Sequence, residues 1–164
     1  IVVGLYMPNV VLLGAFYAVG VALSQAAFVT VVSVMSSVIP YRLRSRGTTV
    51  ALPRTRDGDI VPVIWTPGSS MTETSFGSRE PTDGRVLQAR ELDLVVVPGV
   101  AFDRSCHRVG YGGGFYDRLL ASARDGTAAV AIAFGMQVVE EVPTGPLDRP
   151  VDAIVTEDDV IRCR

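Results

Sequence analysis

The stretch HRVGYGGGFYDRLL, residues 107–120, concentrates the chemistry that this sequence could perform. Four glycines and Tyr111 fill positions Gly110 to Gly114, with Arg108 just before them and Asp117 just after, at the head of a helical pattern. Glycine is about 0.5–1 kcal/mol less favourable than alanine inside regular structure, so four together mark a place where bare backbone is needed. The first turn of a helix has unpaired N–H groups and a partial positive charge, which suits a phosphate. Arg108 adds a fixed positive charge at the loop entrance. Asp117 has an ordinary role there, since an acid stabilises a first turn by a few tenths to about 1 kcal/mol. Beside a polyphosphate, however, it would repel the ligand unless a cation sat between them, and Mg²⁺ characteristically binds one or two carboxylates together with phosphate oxygens. Loop, Arg108 and Asp117 together point to a magnesium–nucleotide site. Neither standard phosphate fingerprint is present: no Gly-Lys-Ser/Thr closes a P-loop, and GYGGGF lacks the dinucleotide spacing. On pattern alone, a purely structural glycine turn stays open.

Such a loop must be carried by strands and a helix. TTVALP (48–53) is a short β-branched run ended by proline, and DIVPVIWTP (59–67) is a second strand whose Pro62 argues for a sheet edge or a loop. Residues 68–84 are rich in turn formers and read as a long loop. LDLVVVPG (92–99) and AAVAIAFG (128–135) are continuous apolar runs, as expected of strands covered on both faces, and VDAIVTE (151–157) is a last strand. FYDRLLASA (115–123) puts Phe115, Tyr116, Leu119, Leu120 and Ala123 on one helical stripe. Apolar runs that do not alternate, with a helix between them, indicate an α/β fold with a largely parallel sheet flanked by helices. In such sheets ligands gather where strands end and helices begin, where the glycines lie.

The chain has 164 residues, 48% of them hydrophobic, and a net charge of -2. That is room for one domain, or for a small domain plus an attachment. A pI near 5.4 gives no basic surplus for a nucleic-acid partner. Cys106 and Cys163 are too few for a disulfide framework and point to a reducing, cytoplasmic compartment. No further Cys or His stands near Cys106 and His107 to complete a zinc set. Ile1 rather than Met opens the chain, as in a fragment or a processed product.

Charge is unevenly spread. Residues 1–41 contain no Asp, Glu, Lys, Arg or His. Residues 10–40 are almost wholly apolar or small, long enough for a membrane-spanning helix, which needs about 20 residues. Gly14, Ala18, Ala22 and Ala26 share one helical face, as close helix packing in lipid favours, and Arg42, Arg44 and Arg46 follow as a basic exit. The alternative is a buried core helix, which at this length would normally show a polar face. VIPYRLRSRG resembles, over about 40 residues, the end of a membrane span in major facilitator transporters. The organisation expected is therefore an apolar helical segment over 1–47, with membrane contact through residues 10–40, followed by an α/β domain over 48–164.

From about Thr48 onward the sequence resembles the 5-formyltetrahydrofolate cyclo-ligase family. The residues that carry the likeness are DLVVVPGVAFDRSCHRVGYGGGFYDRLL, AIAFGMQVVEEVP and LDRPVDAIVTED, with VALPRT and FGSREP in keeping. The resemblance implies a cyclo-ligase-like fold, incomplete at the amino end, that uses ATP and Mg²⁺ to convert 5-formyltetrahydrofolate to 5,10-methenyltetrahydrofolate. It implies that Arg108, Val109, Gly110, Tyr111, Gly112, Gly113, Gly114, Phe115 and Tyr116 form the ATP loop. Arg108, Tyr116 and Asp117 would be catalytic, and Asp117 and Asp148 the magnesium ligands, with Asp152 a weaker candidate that could merely open its strand. Glu80, Phe102, Tyr111 and Gly112 would face the folate, although Phe102 fits core packing equally well. The family usually has glycine where Cys106 stands, so a positive φ there would cost about 1–2 kcal/mol. Its amino-terminal part supplies basic residues to the nucleotide and a glutamate to the pterin, whereas the first acid here is Asp57. That departure keeps a second reading open: a non-catalytic, membrane-tethered domain that binds nucleotide or folate, or a chimeric transporter fusion.

Overall fold

Short β-branched and apolar runs build a seven-stranded sheet in the computed structural model, which describes residues 10–13 (backbone only), 49–74 and 78–163. The strands of the first half are β1 (Val10–Leu13), β2 (Thr49–Arg56), β3 (Asp59–Trp65), β4 (Met71–Glu73) and β5 (Arg79–Pro81). Then come β6 (Leu94–Val97), β7 (Ala101–Asp103), β8 (Arg108–Val109) and the helix α1 (Phe115–Ala121). The chain ends with β9 (Ala128–Ile132), β10 (Val138–Val139), β11 (Ala153–Val155) and β12 (Val160–Arg162).

The large sheet runs β12-β11-β9-β6-β1-β2-β3. Its inner pairings are all parallel, and only the outermost strands, β3 and β12, pair antiparallel. Pro62 lies on β3, an edge strand, where its missing N–H interrupts no inner ladder. β6 carries Val95, Val96 and Val97 buried, as a strand covered on both faces should. Leu119 of α1 packs into the same core as Val95, Val97, Ala131 and Ile154. Among the described residues α1 is the only α-helix, so the flanking helices expected from the sequence reduce there to one.

Two expectations change. Residues 68–84 contain the hairpin β4–β5 rather than a continuous loop. Val10–Leu13, placed by the sequence in a long apolar helix, form a strand between β2 and β6, at the heart of the sheet. An uncharged run looks the same in a strand buried on both faces and in a buried helix, so periodicity could not separate them. The remainder of the apolar segment, with its basic exit at Arg42, Arg44 and Arg46, lies outside the described residues. Among the described residues no helix is long and apolar enough to cross a membrane.

Candidate functional site

β7 and β8 are joined by a turn that one carboxylate organises. Asp103 is buried, and its Oδ1 accepts the Ser105 N–H (2.9 Å) and the His107 N–H (3.0 Å). Its Oδ2 accepts the Val142 N–H at 3.3 Å and faces His107 Nδ1 at 3.5 Å. Burial pushes this carboxyl up, but the hydrogen bonds from His107, Val142 and Ser105 and the charge of His107 outweigh it, leaving its pKa below the ordinary value. Cys106 sits at the turn with φ 65°, the positive value at which a β-carbon is strained. Cys106 and Cys163, too few for a disulfide framework and read as a sign of a reducing compartment, are nevertheless bonded to each other, with their Cα atoms 6.2 Å apart.

β8 delivers Arg108 and Val109 directly to the glycine loop. Gly110, Tyr111, Gly112 and Gly113 are exposed, so the loop opens outward instead of packing into the interior. Gly112 has φ 86°, and a β-carbon on Gly113 would come within 2.5 Å of the Phe115 ring, so backbone conformation and close approach explain two of the glycines. Tyr111 is 62% exposed. Phe115 and Tyr116 are half-buried where the loop turns into α1, and Tyr116 packs against the core.

Asp117 stands in the first turn of α1, as the pattern predicts, and is the meeting point of three segments. Its Oδ1 accepts from Arg108 Nη2 at 2.9 Å and from the Arg149 N–H at 3.0 Å. Arg108 is buried, and its Nε has no hydrogen-bond partner, an arrangement that ordinarily costs about 1–3 kcal/mol. The Arg149 bond brings Asp148 to within one residue of Asp117's partner, so the two carboxylates predicted as metal ligands come from adjoining segments. Asp148 Oδ2 accepts the Gly145 N–H at 2.7 Å. Among the described residues no cluster of three or more His, Cys, Asp or Glu could hold a metal by itself. Asp117 and Asp148 nevertheless offer carboxylate oxygens, the kind of ligand that Mg²⁺ takes from protein, one or two at a time.

The other predicted residues divide. Glu80 is half-buried on β5, and its carboxylate accepts the Thr55 N–H (2.9 Å) and the Thr55 hydroxyl (2.7 Å), tying β5 to β2. Phe102 is fully buried, with its ring against Gly99, so it packs the core and does not line a folate surface. Asp152 Oδ2 accepts the Ala129 N–H at 2.7 Å and ties the start of β9 to the start of β11, the ordinary role of an acid that opens its strand. Sequence reasoning missed Asp103 and Arg118. The spacing Asp103-x-Ser105-x-His107 is a turn signal that could have revealed the first. Nothing in the sequence announces the bonds from Arg118 to Gly58 and Asp59, which lie about sixty positions away.

Comparison with known proteins gives a consistent set of likenesses. Residues 22–157 match the model of the 5-formyltetrahydrofolate cyclo-ligase family, so the match begins inside the uncharged run. A 5-formyltetrahydrofolate cyclo-ligase of Haemophilus influenzae is 40% identical over 88 residues, covering 52% of this chain and 47% of its own. That of Escherichia coli K12 is 37% identical over 106 residues, covering 63% of this chain and 58% of its own. The solution structure of Aquifex aeolicus 5,10-methenyltetrahydrofolate synthetase superposes with a TM-score of 0.70 at 29% identity, covering 96% of this chain and 73% of that one. The chain spans about half the length of the curated relatives it matches.

Proposed function

The chain belongs to the 5-formyltetrahydrofolate cyclo-ligase family, and from that premise we propose that it converts 5-formyltetrahydrofolate to 5,10-methenyltetrahydrofolate at the expense of ATP. The observation that carries the reading is the exposed glycine loop, fed by buried Arg108 and followed within one helical turn by Asp117.

Ring closure from N10 onto the formyl carbon must expel the formyl oxygen, and oxide is a very poor leaving group. Phosphorylation of that oxygen by ATP lets it depart as phosphate. Phosphoryl transfer is chiefly positioning and charge neutralisation, which a backbone cradle can supply. In this reading the N–H groups from Gly110 to Tyr116 line the polyphosphate, with Val109 fixing the loop's entry. Tyr111 and Gly112, at the exposed tip, face the formyl group that receives the phosphoryl. Glu80 borders the folate, its carboxylate already oriented by Thr55. Asp117 and Asp148 would hold Mg²⁺, which would neutralise phosphate charge. Arg108 is the counter-charge of Asp117, and its unsatisfied Nε is the kind of donor that a phosphate oxygen fills. Tyr116 seats the loop against the core.

The test is growth of methenyl-folate absorbance by the full chain with MgATP. Turnover is expected, and Asp117→Asn lowers kcat about 100- to 1000-fold, the usual loss when a charge-stabilising group is removed. MgATP affinity without product would overturn the catalytic reading in favour of a binding domain.

A further inference from the structure

Arg118 follows Asp117 in α1, and its side chain joins the adjoining glycine loop to a distant hairpin. Its Nη1 donates to the Gly113 carbonyl at 2.9 Å, in the glycine loop. Its Nη2 donates to the Gly58 carbonyl at 3.2 Å, and its Nε to Asp59 Oδ1 at 3.3 Å, both at the β2–β3 hairpin turn. The guanidinium carbon lies 5.2 Å from the centre of the Phe115 ring. All three nitrogens are therefore engaged, although the side chain is about half exposed.

The hairpin turn is itself well defined. Asp57 and Gly58 both have positive φ, 52° and 78°, and Arg56 pairs with Asp59 across it, as in a tight two-residue hairpin. It offers a firm anchor on one side of the glycine loop. Across a trans peptide the carbonyl and the following N–H point in opposite directions. A bond from Arg118 to the Gly113 carbonyl thus turns the Gly114 N–H away from Arg118, toward the other side of the loop.

We propose that Arg118 is a positioning residue for the nucleotide: it ties the Gly113 carbonyl to the β2–β3 turn, and so holds the Gly113–Gly114 peptide with its N–H aimed at the phosphates. This rests on the ATP loop assigned above. A planar guanidinium can serve three acceptors from one plane, whereas a lysine ammonium on its flexible stem cannot, so Arg118→Lys restores only part of the function.

The experiment measures MgATP affinity and steady-state constants for the full chain and three variants, with thermal midpoints recorded alongside. Arg118→Gln raises the ATP KM about tenfold while leaving the KM for 5-formyltetrahydrofolate unchanged, and Arg118→Lys recovers part of that loss. Asp59→Asn removes the charge from one arm of the clamp, away from the loop, and by weakening that arm raises the ATP KM roughly two- to threefold. A guanidinium that acted directly on the phosphates would instead bind them better once freed from Asp59, so an unchanged or lowered ATP KM in Asp59→Asn overturns the clamp. Both KM values rising together with a falling thermal midpoint would make Arg118 merely structural, and would also overturn it. Wild-type protein with no affinity for MgATP refutes the nucleotide assignment itself, and the positioning role falls with it.

Discussion

Residues 103–109 and residues 110–114 adjoin in the chain and are held in opposite ways. The first segment is fixed from within: a buried carboxylate gathers three backbone N–H groups, a disulfide pins Cys106, and Arg108 is buried against Asp117. The second is exposed from Gly110 to Gly113 and, Tyr111 apart, bare of side chains, with two inner glycines set by backbone angle and by the nearby Phe115 ring. Arg118 holds it at the far end through a single carbonyl. A rigid base beneath an open tip is what anion capture by main chain requires. The N–H groups must be pre-aimed, but no side chain can stand in front of them.

The largest effect should come from loosening the base. Cys106 and Cys163 are 57 positions apart, and a cross-link over that span limits the unfolded chain by about 4 kcal/mol. Dithiol reduction, or Cys163→Ala, should therefore lower the unfolding free energy by up to that amount in denaturant titrations. Cys106→Gly should lose about 1 kcal/mol less, because glycine removes the strain of φ 65°. Equal losses in the two variants would show that the turn does not strain Cys106.

Removing the carboxylate at the centre of the base should do less. Asp103→Asn is expected to cost about 2–3 kcal/mol at neutral pH, since hydrogen bonds to a charged acceptor are lost or weakened. The folded pKa of Asp103 lies below its unfolded value of about 3.9, so the unfolded chain takes up the proton first. Its contribution is complete above about pH 4 and is lost as pH falls through the folded value. Urea midpoints of the wild type and Asp103→Asn should therefore converge as pH falls below 4, and parallel curves would refute the assignment.

The smallest stability effects belong to the tip, where they separate folding from binding. Gly112→Ala should cost about 1–2 kcal/mol because of its φ of 86°. Gly110→Ala meets no atom within 4 Å and no positive φ, so it should change stability by less than about 0.5 kcal/mol. Isothermal titration should nonetheless show weaker MgATP binding in both, because each added methyl stands where a phosphate would approach. Unchanged affinity in Gly110→Ala would place the anion elsewhere.

The parts of the fold visible in the sequence were those whose signal is local. Continuous valines announced β6, Pro62 marked an edge strand, and the stripe of Phe115, Tyr116, Leu119 and Leu120 gave α1. The hairpin β4–β5 was not visible, because Met71-Thr72-Glu73 and Arg79-Glu80-Pro81 carry no apolar pattern. Those strands are held by pairing and by Glu80 on Thr55. At the site, the loop and Asp117 were legible from composition and spacing. The Arg108–Asp117 pair, the disulfide and the reach of Arg118 were not, since each joins residues that only the fold brings together. Phe102 shows the converse: an aromatic beside a functional motif, fully claimed by the core.

The place of β1 has a consequence for how the site comes to exist. Remove Val10–Leu13 and the large sheet falls into two pieces, β2–β3 on one side and β6, β9, β11 and β12 on the other. The hairpin turn that anchors Arg118 hangs from the first piece, while the glycine loop follows β8 of the separate three-stranded sheet β10-β7-β8, which the chain reaches from β6. Four aliphatic residues thus join the strands that carry the Arg118 anchor to the strands from which the chain runs on to the glycine loop. They can do so only after the residues of β6, far downstream, have been synthesised, so completion of the sheet is a long-range event in folding.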